Sequence, residues 1–393
     1  MLVSQIVIAI IGLLSGKIIA LYFSPADFGL FNLQFAIYTF FFSLLISPFI
    51  QYMKTVSKTL LLKLGYKFFL YLAVILMLFF YLSLLIIYNI NYGLNYIFFA
   101  VLLIMIPANL IFNLISDYFN VYNKLNLFSA SNFTKNFASL LFLIVLMTLN
   151  YKYNDGSVLL WIFQVVGFVF GILFFLPHYK FNFSQIYRIS FKKFSSRYAI
   201  YAFPLVILAF WSWINNYFDR FAIEHFLSIN EVGVYNANYT VGARFFLLLN
   251  PFFLTLLVPN VYNNNEIGIR KNAINKYAKM YTLISIPILV VIYFLTDFIG
   301  LLLLSEKYKS GFHLIFWIAL SYFFLTLVYL FETVFYAESK TKIILYSNII
   351  SAIFNIVLNV FLIPIYGLNG AFIATLIAFS IRFLVVYLYF KKL

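Results

Sequence analysis

The sequence is built from apolar runs of about 20 residues, most of them almost free of charge and separated by short polar breaks. Runs of this length and continuity match the hydrocarbon thickness of a bilayer crossed by helices. They do not alternate every second residue over about ten positions, as the strands of a membrane barrel would. A soluble chain of 393 residues would carry roughly a quarter charged side chains, whereas 9% are charged here and 65% are hydrophobic. In lipid every backbone polar group must find its partner within the segment, so the fold class is an all-α polytopic membrane protein. About twelve spans leave about 14 residues for each connection, and no room for a sizeable soluble domain.

The runs predict helices over 2–22, 30–50, 67–88, 94–116, 129–149, 158–176, 200–223, 232–258, 277–299, 311–336, 343–363 and 368–390. Within 94–149 the break rests on Asp117, Lys124 and Asn126. Lys and Arg concentrate in alternate connections, with Lys152, Lys307 and Lys309 the exceptions on the opposite side. Positive residues in short loops stay cytoplasmic, so both termini are expected there. The net charge of +15 is thereby explained without nucleic acid. The basic stretch Pro177–Tyr198 reads as a linker between two six-span lobes, 1–185 and 186–393, lying on an anionic membrane surface. A plain positive-inside loop explains it equally well.

The chain contains no cysteine and three scattered histidines, His178, His225 and His313, without metal-ligand spacing. It shows no phosphate-binding loop, nucleophile elbow or HExxH motif. The start of the chain lacks the charged leader of a secretory signal and reads as a retained first span. An enzyme or ATP-driven pump is not indicated, and no cofactor is expected beyond an H+ or Na+ gradient as energy source.

An internal repeat organises the rest. Phe23-Ser24-Pro25-Ala26-Asp27-Phe28-Gly29-Leu30-Phe31-Asn32 returns 204 positions later as Leu227-Ser228-Ile229-Asn230-Glu231-Val232-Gly233-Val234-Tyr235-Asn236. Serine, an acid, glycine, an aromatic and asparagine recur in register. Each copy is expected to close the first helix of a six-helix half and open the second through a serine cap and a first-turn acid. Six spans per half place both copies on the same side, so the halves are parallel repeats related by an axis along the membrane normal. Two such bundles with a cleft between them are suited to alternating access.

Charges within the spans mark pathways. They are Lys17, Lys135, Asp219, Arg220, Arg244, Glu332 and Arg382, with cations in the majority, so the interior favours an anionic cargo. Arg244 lies about 18 Å along its span from the outer start, near the bilayer centre, and is the prime candidate to bind that anion. Lys17 and Arg220 precede Ser24 and Ser228 by seven and eight residues and occupy matching depths, so they are helpers. Glu224, four residues after Arg220, could instead neutralise it. Asp219, on another face, is either a coupling-cation ligand or a helix–helix hydrogen-bonding group. Lys135, Glu332 and Arg382 read as lying near cytoplasmic helix ends and reaching the interface.

Aromatic residues make up 22% of the chain, and Trp211, Trp213 and Tyr217 form a candidate platform for sugar stacking. Asn215, Asn216, Asn236, Asn238, Asn250, Asn355 and Asn359 could bond a hydroxylated ligand, though bonding between helices is favoured. Prolines, Pro48 and Pro251 among them, can bend the spans.

At this point the sequence resembles the polysaccharide flippases, of O-antigen or Wzx type, of the multidrug, oligosaccharidyl-lipid and polysaccharide exporter superfamily. Three pieces carry the resemblance: Leu21 to Leu30 at the exit of the first span, Asp219-Arg220 with Leu227 to Tyr235, and Ile363-Pro364-Ile365-Tyr366-Gly367-Leu368-Asn369-Gly370-Ala371-Phe372-Ile373-Ala374-Thr375. They are mainly turn and packing residues. The resemblance implies two six-helix lobes around a cationic cavity. Through it an undecaprenyl-diphosphate-linked oligosaccharide, a repeat unit of O-antigen, capsule or exopolysaccharide, passes from the cytoplasmic to the outer leaflet. Arg244, Lys17 and Arg220 would meet the diphosphate, and the lipid tail would stay in the bilayer. Phe40 stands where the repeat would place a partner for Arg244, so the site is asymmetric. Partners implied by such a pathway are a polysaccharide polymerase and an initiating glycosyltransferase.

Rival assignments are a cation-coupled multidrug exporter or a lipid II exporter of the same superfamily, and a polytopic polymerase or glycosyltransferase. The drug exporter would be expected to place an acid in span 1, which holds only Lys17. A lipid II flippase usually carries two additional helices. The enzymes would be expected to show a large outer loop or a catalytic acid cluster.

Overall fold

The computed structural model describes residues 2–55, 58–93, 95–149, 155–178 and 191–393, and the described residues fold as helices and turns without strands. Most of the proposed linker, 179–190, lies outside the described residues, as does Lys152.

The helices are α1 (Leu2–Tyr22), α2 (Pro25–Phe41), α3 (Ser47–Thr55), α4 (Lys58–Tyr92), α5 (Tyr96–Val121), α6 (Leu125–Thr148) and α7 (Gly156–Phe175). They continue as α8 (Phe191–Phe226), α9 (Ile229–Tyr262), α10 (Ile267–Phe294), α11 (Thr296–Leu303), α12 (Leu314–Ala337), α13 (Thr341–Tyr366) and α14 (Leu368–Lys392). Eleven described stretches are long and apolar enough to cross a membrane, and α1 adds a shorter apolar stretch over Val7–Tyr22. This is a multi-pass membrane protein.

Polar punctuation sets the ends. The break in 94–149 falls where expected: α5 stops at Val121, Asn123 adopts φ 56°, and α6 begins at Leu125. Both copies of the repeat are capped alike. Ser24 Oγ accepts from the Asp27 amide at 3.1 Å, and Ser228 Oγ accepts from the Glu231 amide at 3.2 Å. The second span is one bent element. A π-helical turn, Phe42–Ile46, joins α2 to α3 just before Pro48, whose missing N–H cannot continue the α ladder. Between α13 and α14, Gly367 sits at φ 58°, ψ −137°, a conformation that side chains with a Cβ rarely adopt.

The chain forms two compact units: Met1–Phe23 with Leu33–Phe210, and Ser24–Asn32 with Trp211–Leu393. In the first, α6 packs on α7 and α1, and α5 packs on α7. Among its buried polar groups, Trp161 Nε1 donates to Gln34 Oε1 at 2.9 Å, and Asn109 Nδ2 donates to Tyr38 Oη at 3.0 Å. In the second, α12 packs on α9 and α14, and α13 packs on α14. Asn215 Nδ2 donates to Asn348 Oδ1 at 2.7 Å, and Ser351 Oγ donates to Asn215 Oδ1 at 2.9 Å, tying α8 to α13. In an apolar bundle such bonds fix helix register where hydrophobic burial cannot.

The second unit also brings the two copies of the repeat face to face. A Cβ added to Gly29 would lie 2.9 Å from Gly233 N and collide with Ile229 O. A Cβ added to Gly233 would lie 3.1 Å from Gly29 N and collide with Pro25 O. Three residues further along each copy, Asn236 Nδ2 donates to Asn32 Oδ1 at 2.5 Å. Residues related by the repeat contact each other reciprocally, the signature of a local two-fold. The asparagine that recurs in the sequence is thus the bond that closes this helix crossing.

Candidate functional site

The deepest charges of the second unit begin on α8. Asp219 and Arg220 are 2% and 5% exposed and form an ion pair at 2.7 Å. The same Oδ1 of Asp219 accepts from the Arg220 amide at 2.9 Å, and its Oδ2 accepts from Tyr235 Oη at 2.7 Å. The guanidinium of Arg220 donates through Nε to Asn236 Oδ1 at 2.9 Å and through Nη1 to the Asn216 carbonyl. It lies 5.0 Å from the Tyr217 ring centroid and 4.8 Å from that of Tyr239. A buried ion pair holds only when its remaining hydrogen-bonding capacity is met, and here α9 meets much of it.

This arrangement corrects one expectation. Glu224 makes no ion pair with Arg220 among the described residues; Asp219 takes that role. Asp219 stands on another helix face and makes a helix–helix hydrogen bond with Tyr235, and the long guanidinium of Arg220 folds back to reach it. A coupling cation at Asp219 would have to displace an internal guanidinium and a phenol hydroxyl.

Arg244 differs in kind. It is half-buried on α9, two turns beyond Asn236 or about 12 Å of helix rise, and it forms no hydrogen bond or ion pair with any described residue. A guanidinium removed from water without a partner carries an unmet electrostatic demand. Lys17 lies half-buried on α1, in the other unit. Phe40, at the repeat position matching Arg244, is an aromatic neighbour of Phe210 with ring centroids 6.2 Å apart. The cation therefore has no counterpart at that position.

The proposed stacking platform is engaged with itself. Trp213 and Tyr217 stack on each other, centroids 6.0 Å apart and planes inclined by 26°, and Trp213 also meets Phe221 at 5.7 Å. Trp211 gives its carbonyl to Asn215 Nδ2 at 3.3 Å.

Of the three residues expected near helix ends, Glu332 does lie within two turns of the end of α12, while Lys135 and Arg382 stand deeper; none of the three is at a free surface. Glu332 and Arg382 are 2% and 7% exposed and pair at 3.0 Å, α12 to α14, and Arg382 Nη1 reaches Asn348 Oδ1 at 3.3 Å. Residues fifty positions apart give no local signal of such a meeting. Lys135 stands ten residues, about 15 Å, into α6, which begins earlier than the run predicts. Its ammonium lies 5.0 Å from the Phe112 ring centroid and 4.7 Å from that of Phe168.

Beside Glu332, a cavity of about 480 Å³ opens between α9 and α12. Asn250, Leu254, Val258 and Tyr262 recur every four residues along one face of α9; Tyr329, Glu332, Thr333 and Tyr336 face them from α12. Helical spacing of tyrosines around a glutamate is the signal that points to it in the sequence.

Comparison with known proteins places this geometry. The MatE family profile matches residues 204–361. No curated protein matches the chain. Among solved structures, the lipid II flippase MurJ in an inward-closed conformation is similar at TM-score 0.72 and 18% identity, over 99% of this chain and 87% of that one. An inward-facing multidrug resistance MATE family transporter of the MOP superfamily is similar at TM-score 0.67 and 12% identity, over 98% and 94%. A MOP superfamily transporter from Pyrococcus furiosus, whose reverse pocket polarity suggests a different function, is similar at TM-score 0.65 and 12% identity, over 100% and 93%. The fold is that of these transporters.

Proposed function

We propose that this chain is a flippase, not an enzyme, which moves an undecaprenyl-diphosphate-linked oligosaccharide from the cytoplasmic to the outer leaflet by alternating access. The observation that carries the reading is Arg244, a half-buried guanidinium in a membrane helix with no hydrogen-bond or ion-pair partner among the described residues. Buried cations are retained in membranes where something pairs with them. Arg220 has its counter-charge within the fold and Arg244 does not, so the cargo's diphosphate supplies it through short charge-assisted bonds. Arg220 then holds α8 and α9 in place, and Lys17 is a second candidate cation for the diphosphate. Both termini face the cytoplasm, and a polymerase and an initiating glycosyltransferase act in the same inner membrane on O-antigen, capsule or exopolysaccharide units. An ion gradient or the membrane potential drives the cycle.

The test is transfer across proteoliposomes of an undecaprenyl-diphosphate oligosaccharide, with lipid II and an organic cation run in parallel. Arg244→Ala is expected to lower flipping about 10- to 100-fold, the worth of one charge-assisted hydrogen bond. Arg244→Lys should recover part of that, since it keeps the charge and loses the planar fork. Export of the organic cation by a chain that moves neither lipid would replace this reading with the drug-exporter one. Transfer of lipid II alone would replace the repeat-unit cargo.

A further inference from the structure

The cavity between α9 and α12 is built from a chemistry unlike that of Arg244. Its charge is balanced internally: the Glu332 carboxylate is held by Arg382 at 3.0 Å, and the Arg382 guanidinium lies 5.8 Å from the Tyr329 ring centroid. No net charge is left to select an ion. What remains is a set of hydrogen-bonding groups and aromatic faces. Asn250 Oδ1 is buried and has no donor among the described residues, an unpaired acceptor in a place where such a group costs free energy. Tyr329, Tyr336 and Tyr262 line the walls, the latter two 48% and 51% exposed, so their rings are open to a ligand.

An acyl chain would fill the volume but leave Asn250 Oδ1 unsatisfied. An organic cation would face a carboxylate already neutralised by Arg382. A neutral polyol satisfies both demands: its hydroxyls donate to Asn250 and Glu332, and its C–H faces pack on tyrosine rings, whose π faces are electron-rich. A volume of about 480 Å³ lies within the range of small-molecule sites.

We propose that this cavity is a saccharide subsite, which takes the neutral glycan part of the cargo while a separate cation takes its phosphate. The assignment rests on the transport reading for the identity of the cargo; its test does not.

Because the native chain has no cysteine, a single one can report occupancy without background. Val258→Cys, on the cavity wall and 38% exposed, is labelled with a maleimide in the full-length protein in nanodiscs. Three probes are added in turn: the water-soluble glycan released by mild acid from the lipid-linked pool of the producing cells, undecaprenyl diphosphate without sugar, and tetrapropylammonium. The released glycan is expected to slow labelling, and the other two are not. Adding Asn250→Leu should weaken that protection about fivefold, the worth of one hydrogen bond. Tyr336→Ala should weaken it as well while Tyr336→Phe keeps it, both at an exposed position that folding tolerates. Arg244→Ala should leave protection unchanged, so loss of flipping with retained glycan binding separates the two assignments. Protection by undecaprenyl diphosphate or by tetrapropylammonium, or by none of the three, overturns the subsite.

Discussion

Asp219→Ala is expected to destabilise the folded chain by about 3–5 kcal/mol, because it strands the Arg220 guanidinium without its counter-charge. Removing the carboxylate deletes the 2.7 Å pair, the acceptor of Tyr235 Oη and the acceptor of the Arg220 amide in one step. Asn236 remains on Nε, but a neutral amide oxygen does not replace a carboxylate. The double variant Asp219→Ala with Arg220→Met should regain most of the loss, since replacing both members of a buried pair by apolar groups is often nearly neutral. Thermal unfolding of the purified protein in one detergent, run as a double-mutant cycle, measures this. If Asp219→Ala alone unfolds like the native chain, the pair is not holding α8 to α9, and Asp219 becomes free to serve as a coupling site.

Much of this architecture can be read from the sequence, and what escapes does so for identifiable reasons. The spans, the break at Lys124 and the two serine caps follow from hydropathy and turn chemistry, which act within a few residues. The pairing of Asp219 with its own neighbour escapes because adjacent positions on a helix do not face each other. Only the reach of an arginine allows it. Glu332 with Arg382 escapes because fifty residues separate them, and nothing local distinguishes a charge that reaches the interface from one that meets a partner inside. Lys135 is misplaced in depth because Leu125, Asn126 and Leu127 are too mixed to count as span, yet α6 begins there. Of Trp211, Trp213 and Tyr217, composition does not tell that Trp213 and Tyr217 stack on each other.

Gly233→Ala is expected to cost about 3 kcal/mol, at the upper end for overpacking by one methyl group, because the obstruction is backbone. The new Cβ would meet the Pro25 carbonyl and lie 3.1 Å from Gly29 N, and neither can rotate away as a side chain would. The crossing can accept the methyl only if the N-terminal turns of α2 and α9 separate. Separation stretches the 2.5 Å bond from Asn236 to Asn32 and shifts Asn236, which also accepts from Arg220 Nε at 2.9 Å. The effect therefore spreads from a packing contact into the buried ion pair. Gly29→Ala should behave alike, since the contact is reciprocal. The double variant should cost less than the two singles together, because one displacement relieves both collisions. Gly16→Ala is the control: its Cβ would meet no described atom within 4 Å, and in the interior of α1 alanine should be neutral or stabilising by up to about 1 kcal/mol. Unfolding midpoints of the four variants in one detergent decide the matter. Equal stability of Gly233→Ala and Gly16→Ala would mean that the two repeat copies do not meet at their glycines, and the local two-fold would lose its contact.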